Sequence, residues 1–364
     1  VLGRGAAYAR AEDSIRGLVD ALGLPFLPSP MGKGVAPDGH PLNVSAARSM
    51  AIGQADVALV VGTRLNWQLH FGEAPRWQSD CKFIQVNVDG EELSKRHLAV
   101  SIQGDARVVV AEMLGAVKTM ARGDISEWVK ALGEKAASAT TKLAQKLSVQ
   151  LPPGKALDFH AAYGVIKACV ERLQPEPVVV SEGANTMDIG RSVMQHQGPR
   201  LKLDAGAWGT MGVGLGYSIA SAVTDPSRWT VALEGDSAFG FSGMECEVMC
   251  RYRLPIVVVV FNNSGVYGGD RRPAGREGQG AFVNDPAPTD FVSEAKYDEL
   301  MRAFGGQGCL VRTQAELREA LDRTFSGPKG PTLVNVIIDP MAGVESGNMK
   351  SHNDARPAEA VSKL

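Results

Sequence analysis

The sequence predicts an α/β chain built as two doubly wound parallel-sheet domains, and three observations carry that expectation. Continuous apolar runs such as Ile256 to Phe261 suit strands buried on both faces, as parallel sheets require. These runs alternate with stretches of helical periodicity, the pattern of β-α-β crossovers. They end in glycine-rich or polar turns, and open parallel sheets bind ligands beyond the carboxyl ends of their strands.

The elements follow in order. Residues 1–121 read as a Rossmann-like unit, in which Val1-Leu2-Gly3 has the character of the interior of a first strand and turn. Apolar strands at Val57 to Val61 and Phe83 to Val88 follow, with Gly62-Thr63-Arg64 and Asn87-Val88-Asp89 at their ends, where a nucleotide would sit. Residues 122–153 read as a helical linker: Asp124 to Val149 is rich in Ala, Lys and Glu, and Leu151-Pro152-Pro153-Gly154 ends it.

Residues 154–342 form the second unit. Val178 to Val180 is a strand, and Ser181 to Thr186 a polar loop opening a helix, where free N–H groups favour an anion; a plain capped helix start is the alternative. From Gly206 to Gly216 there are five glycines in eleven positions. Such density costs a helix about 1 kcal/mol per residue relative to Ala, so close approach to a ligand is expected to need it. Trp229 to Leu233 is the next strand, ending in Gly235-Asp236-Ser237. A helix from Gly243 to Tyr252 carries Met244, Val248 and Met249 at helical spacing and is closed by Leu254-Pro255. Ile256 to Phe261 then leads into Asn262-Asn263, and Thr332 to Ile338 is a late strand. Residues 343–364 form a polar tail. The sequence contains no internal repeat.

Composition narrows the function. A formal net charge of −2 argues against nucleic acid as the main partner, and no apolar run approaches the ~20 residues that span a bilayer. Five cysteines without framework spacing point to reduced thiols and an intracellular enzyme. Cys246 and Cys250, four apart on a helix, read as packing residues. Gly212-x-Gly214-x-Gly216 lacks the spacing of a dinucleotide fingerprint, which disfavours an NAD dehydrogenase.

The most informative stretch is Glu234 to Tyr267, which places Asp236 and Asn263 at the ends of neighbouring strands. One carboxylate and one amide oxygen make a hard, low-charge site suited to Mg²⁺ or Ca²⁺ if phosphate oxygens and water complete it, whereas zinc would want Cys or His. Taken singly, each half has a plainer reading, Asp236 as a helix cap and Asn262-Asn263-Ser264-Gly265 as a turn.

With both halves in place the chain resembles the thiamine-diphosphate-dependent enzymes, which carry Gly-Asp-Gly, about two dozen residues, then Asn-Asn. The resemblance implies that Asp236, Asn263 and the carbonyl of Gly265 hold Mg²⁺. Ser237 stands where the family has Gly. It further implies that Gly235, Asp236, Ser237, Ala238, Ala184, Asn185 and Thr186 meet the diphosphate, and that Gly209 and the glycine-rich loop embrace the aminopyrimidine. Met211 would be the wedge that keeps the cofactor bent; on the plainer reading it is ordinary core. Tyr267 would be a polar contact in the pocket, or else a ring packed under the metal loop.

The wording SAFGFSGME followed by CRYRLP is similar to one subgroup, the 2-hydroxyacyl-CoA lyases and oxalyl-CoA decarboxylases. The subgroup's middle domain receives the nucleotide part of coenzyme A, or ADP, which makes Gly3, Arg4, Gly5, Arg64 and Asp89 the nucleotide candidates. Lys33 and Arg48 would meet phosphates, against a default of solvated surface. The implied reaction cleaves 2-hydroxyacyl-CoA to formyl-CoA and an aldehyde one carbon shorter; oxalyl-CoA decarboxylation is the alternative. A noncatalytic thiamine- or nucleotide-binding fragment is the alternative of another class.

Ser362-Lys363-Leu364 reads as a peroxisomal signal recognised by an import receptor, which fits fatty acid α-oxidation. Asn348, Lys350 and Ser351 are lid contacts if the tail closes over the site, although an inert tail is the simpler reading. Nothing matches the family's pyrimidine-binding domain with its glutamate, so the chain is expected to be the C-terminal portion of an enzyme that assembles as a dimer or tetramer.

Overall fold

The computed structural model describes residues 1–117, 123–268 and 288–342. The first unit contains α1 (Arg4–Tyr8), α2 (Glu12–Leu22), α3 (Arg48–Gln54), β1 (Val57–Val61), β2 (Lys82–Asn87), α4 (Gly90–Ser94), β3 (Val100–Gln103) and α5 (Ala106–Val117). Its strands lie parallel in the order β1-β2-β3. Val1 to Gly3 is not a full strand: Leu2 makes single parallel bridges to Pro28 and Val61, because α1 begins immediately after it. On α2, Ile15, Leu18 and Val19 fall on one face and are buried with Val110 of α5. The helix ends at Gly23, whose φ of 63° is the left-handed conformation that glycine adopts freely.

Helix α6 (Ser126–Leu147) is more than a spacer. Leu132 and Ala136 are buried in the core of the first unit, while Leu143 and Leu147 pack on the core of the second. Burying apolar surface at both ends ties the two units to one rod.

The second unit comprises α7 (Phe159–Val170), β4 (Val178–Glu182), α8 (Ala184–Val193), β5 (Lys202–Asp204), α9 (Gly214–Thr224), β6 (Thr230–Gly235), α10 (Asp236–Ser242), α11 (Glu245–Arg251), β7 (Ile256–Asn262), α12 (Tyr297–Ala303), β8 (Gln307–Val311), α13 (Gln314–Ser326) and β9 (Thr332–Ile337). All pairings are parallel, in the order β5-β4-β6-β7-β9-β8. Strand β7 is buried throughout, and its alternation divides it between two cores. Val257, Val259 and Phe261 face α7 and α13, while Ile256, Val258 and Val260 join Leu215, Phe239 and Met249 on the opposite side. That division is why the sequence reads as an unbroken apolar run.

The helix expected over Gly243 to Tyr252 is present as α11, slightly shorter, and a further short helix precedes it. Helix α10 begins at Asp236 itself, and a break at Gly243 and Met244 precedes α11. Gly243 packs closely on the Phe239 ring, 3.0 Å from where a Cβ would stand. The loop expected from Ser181 also shrinks, since β4 continues through Glu182 and Gly183 alone separates it from α8. All five cysteines are free; Cys246 is buried and Cys250 packs with Met301 Sδ at 3.4 Å. Among the described residues no helix is long and apolar enough to cross a membrane.

Candidate cofactor and nucleotide sites

Strand β4 has β5 on one side and β6 on the other, so the sheet order reverses between them. The turns following β4 and β6 therefore flank a topological switch point, the place where doubly wound sheets bind ligands. Gly183 and Gly235 end those strands and touch: a Cβ on Gly183 would lie 3.2 Å from the Gly235 nitrogen, and one on Gly235 would lie 3.4 Å from Thr186 Oγ1. Gly183 has φ 96° and ψ 164°, a conformation essentially confined to glycine.

Asp236 is buried, and burial pushes its carboxyl up to about 7 against the pull of backbone N–H groups at Gly265, Ser237, Ser264 and Asn263. The N–H of Gly265 donates to Asp236 Oδ2 at 3.1 Å, and that of Ser237 to Oδ1 at 2.8 Å. The two loop tips thus meet. The two asparagines divide their work. Asn262 Nδ2 donates to Ala295 O at 3.0 Å and Asn335 Oδ1 at 3.1 Å, a structural role. Asn263 Nδ2 donates to Tyr267 O at 3.1 Å, a carbonyl that also receives Asn185 Nδ2 at 2.9 Å. The loop after β7 is in this way tied to the first turn of α8, whose Thr186 carbonyl accepts from the buried Tyr163 hydroxyl.

Ala184, Asn185, Thr186, Gly235, Asp236, Ser237, Ala238, Asn263, Gly265 and Tyr267 are brought together by these contacts and by the turns they occupy. The Tyr267 ring is 47 % exposed, so it is not packed under the loop. Met211 is half-buried and belongs to none of the hydrophobic clusters of the described residues. Gly209 is exposed with φ 61°, in the same loop. No group of three or more His, Cys, Asp or Glu side chains among the described residues could hold a metal, so a cation here would rest on the carboxylate, amide and carbonyl oxygens named above. These residues fit a divalent cation with a diphosphate: a buried carboxylate faces a loop of small residues, and glycines clear the space beside it.

A second cavity, of about 610 Å³, opens at the carboxyl ends of the first sheet. Arg4, Gly5, Arg64 and Asp89 line it, as does Trp208 from the glycine-rich loop of the second unit. Gly3 does not. It is packed so tightly on Gly62 that a Cβ would fall 2.2 Å from its carbonyl oxygen, which makes its role structural. Asp89 caps α4 by accepting from Glu91 N at 3.0 Å. Lys33 and Arg48 line a neighbouring cavity of about 480 Å³ instead. Lys33 Nζ is held by Asp38 at 3.1 Å and by the Arg191 carbonyl at 2.8 Å, and Arg48 donates to the Gln68 carbonyl. The two units meet here: Trp67 Nε1 of the first donates to Ala207 O of the glycine-rich loop at 2.6 Å.

The buried ionisable groups that the sequence reading did not single out include Glu182, Lys202 and Glu234. The signal was present as a charge inside each of three strand runs. Asn348, Lys350, Ser351 and Ser362-Lys363-Leu364 lie outside the described residues.

Comparison with known proteins agrees with this geometry. Residues 1–113 match the thiamine pyrophosphate enzyme central domain, and residues 183–336 match the C-terminal TPP-binding domain of the same enzymes. The chain is 54 % identical over 356 residues to a 2-hydroxyacyl-CoA lyase of Oryza sativa subsp. japonica, covering 97 % of this chain and 61 % of that protein. It is 46 % identical over 352 residues to 2-hydroxyacyl-CoA lyase 1 of Homo sapiens, covering 94 % of this chain and 60 % of that one. It is 42 % identical over 359 residues to oxalyl-CoA decarboxylase of Escherichia coli K12, covering 98 % and 61 %. The chain spans about three fifths of the length of these curated relatives. With both domains matched and the strand-end site in place, the chain belongs to the thiamine pyrophosphate enzymes.

Proposed function

We propose that the protein is a thiamine-diphosphate-dependent carbon–carbon lyase that cleaves 2-hydroxyacyl-CoA to formyl-CoA and an aldehyde one carbon shorter. The observation that carries the reading is the meeting of Asp236 with the Asn263 loop at the topological switch point. Thiamine diphosphate, when bound, supplies the electron sink that allows a bond beside a carbonyl to break. The chain's own residues hold and orient. Asp236, Asn263 and the Gly265 carbonyl hold Mg²⁺; Gly235, Ser237, Ala238, Ala184, Asn185 and Thr186 receive the diphosphate; Gly209 and Met211 set the ring system; and Tyr267 reaches into the substrate space.

Arg4, Gly5, Arg64 and Asp89 receive the nucleotide end of coenzyme A, or ADP, within a unit spanning 1–121. Residues 122–153 join it to the cofactor unit of 154–342. What supports this arrangement is the cavity these four residues line and its continuation to Trp208 beside the cofactor loop. The lyase is preferred because the plant and human relatives at 54 % and 46 % identity carry that name; the 42 % identity to oxalyl-CoA decarboxylase keeps decarboxylation as the second reading. The relatives' greater length supports a further, pyrimidine-binding domain, and the active enzyme is read as a dimer or tetramer.

Full-length protein assayed with Mg²⁺, thiamine diphosphate and either 2-hydroxyacyl-CoA or oxalyl-CoA decides the matter. Formyl-CoA from the first substrate is expected, and turnover of oxalyl-CoA alone would overturn the lyase. Peroxisomal targeting rests on Ser362-Lys363-Leu364 acting as a free chain end. A fluorescent fusion ending in that tripeptide, compared with one lacking Leu364, tests it.

A further inference from the structure

Behind the two strand-end turns lies a buried carboxylate that the reading above does not use. Glu182 is the last residue of β4, is fully buried, and stands in register with Glu234 on β6. Its two oxygens accept from the backbone N–H groups of Gly212 and Gly214, and the N–H of Val213 faces the same carboxylate. Three successive amides of the glycine-rich loop therefore converge on one side chain. The fit is close: a Cβ on Gly214 would stand 2.3 Å from Glu234 Oε1 and 2.7 Å from Glu182 Oε2, and Gly212 has φ 85°. Glu182 also directly precedes Gly183, whose turn lies against Gly235. One residue thus joins the loop that carries Met211 to the turn assigned to the diphosphate.

We propose that Glu182 is a positioning residue for the cofactor, fixing the Gly209 to Gly214 loop against the Gly183 turn so that the ring-binding and diphosphate-binding ends of the site keep one spacing. The inference rests on the assignment of thiamine diphosphate to this site. The chemistry selects glutamate. Glutamine offers one acceptor and would set an NH₂ group against a backbone N–H, while aspartate keeps both acceptors and the charge but is one methylene shorter. Removing a charged acceptor from buried donors is costly, so the loop is expected to move in Glu182→Gln.

The test measures binding of thiamine diphosphate with Mg²⁺ to full-length protein by titration calorimetry. It is paired with the fluorescence of Trp208, which is 87 % exposed in the same loop and isolated by subtracting Trp208→Phe. Glu182→Gln should weaken binding about tenfold or more and shift the Trp208 emission before any cofactor is added, with Glu182→Asp recovering part of both. Wild-type affinity and unchanged emission in Glu182→Gln would overturn the inference alone. Failure of the wild type to bind the cofactor would overturn the site assignment, and the inference with it. Should Glu182→Gln not fold, Glu182→Asp decides by the same criteria, since wild-type binding and emission in it would show that the clamp's reach is immaterial.

Discussion

Gly183→Ala tests the site at the point where backbone physics is most demanding. At φ 96° and ψ 164° the residue occupies a region that costs an L-amino acid about 1–3 kcal/mol. The added Cβ would also lie 3.2 Å from the Gly235 nitrogen and 3.4 Å from its Cα, both backbone atoms of the neighbouring strand end. Taking about 2 kcal/mol, and about 2–4 °C per kcal/mol for a domain of this size, the melting temperature should fall by about 4–8 °C. If the turn shifts to relieve the strain, the cost appears instead in the ligand, as an approximately thirtyfold loss of thiamine diphosphate affinity. Gly216→Ala is the control. Gly216 is exposed on α9 with no atom within 4 Å of the built Cβ, so alanine should stabilise by about 0.4–1 kcal/mol. Differential scanning calorimetry and cofactor titration on both variants provide the readout. A Gly183→Ala protein that melts and binds like the wild type would refute the claim that this turn is held in a glycine-only conformation.

Two further outcomes separate site from scaffold. Asn263→Ala should weaken Mg²⁺-dependent cofactor binding by about a hundredfold while leaving the melting temperature nearly unchanged, whereas Asn262→Ala should cost about 1–3 kcal/mol of stability through the unsatisfied Asn335 Oδ1 acceptor and Ser264 N–H donor. Calorimetry with and without Mg²⁺ measures the contrast. The interface between the two units should also respond to pH. His196 is buried, its backbone N–H donates to Asp38 Oδ2 at 2.9 Å, its Nδ1 lies 3.5 Å from Glu176, and Lys33 and Lys202 face it. Burial lowers its ring below the usual 6.5, so the unfolded chain binds the proton more readily and stability falls as pH drops below about 6.5. Urea unfolding between about pH 5 and 8 should show that slope, and His196→Leu should flatten it.

The meeting of the Asp236 and Asn263 turns was legible because its determinants are local. Asp236 and Asn263 each end an apolar strand, and a parallel sheet brings successive strand ends together without information from distant contacts. The gathering of Arg4, Arg64 and Asp89 around one cavity was legible for the same reason. The structure departs from the sequence reading where tertiary packing decides. Gly3 looked like a ligand-facing glycine but serves the close approach of Gly62, and Lys33 looked like a phosphate contact but binds Asp38 and the Arg191 carbonyl across the interface. The short helix before Gly243 was not read because its Asp236-Ser237-Ala238 start looked like a turn.

The buried charges explain what the second sheet sacrifices in stability. Strand β6 would be more stable with an apolar residue in place of Glu234, whose oxygens have no hydrogen-bond partner among the described residues. Burial, and then the neighbouring Glu182, hold that carboxyl well above the usual range, and burial brings Lys202, bonded to Ser181 Oγ, down to about 7. Glu182, Glu234 and Lys202 lie on the three adjacent strands β4, β6 and β5, beside the switch point. Hydrophobic packing alone would let the glycine-rich loop slide, since glycine offers no side chain to interlock. A buried carboxylate can grip its backbone amides directly, and that grip is directional where apolar contact is not. A loop stripped of side chains for close approach to a ligand must be located through its main chain, and Glu182 is the group that reaches it.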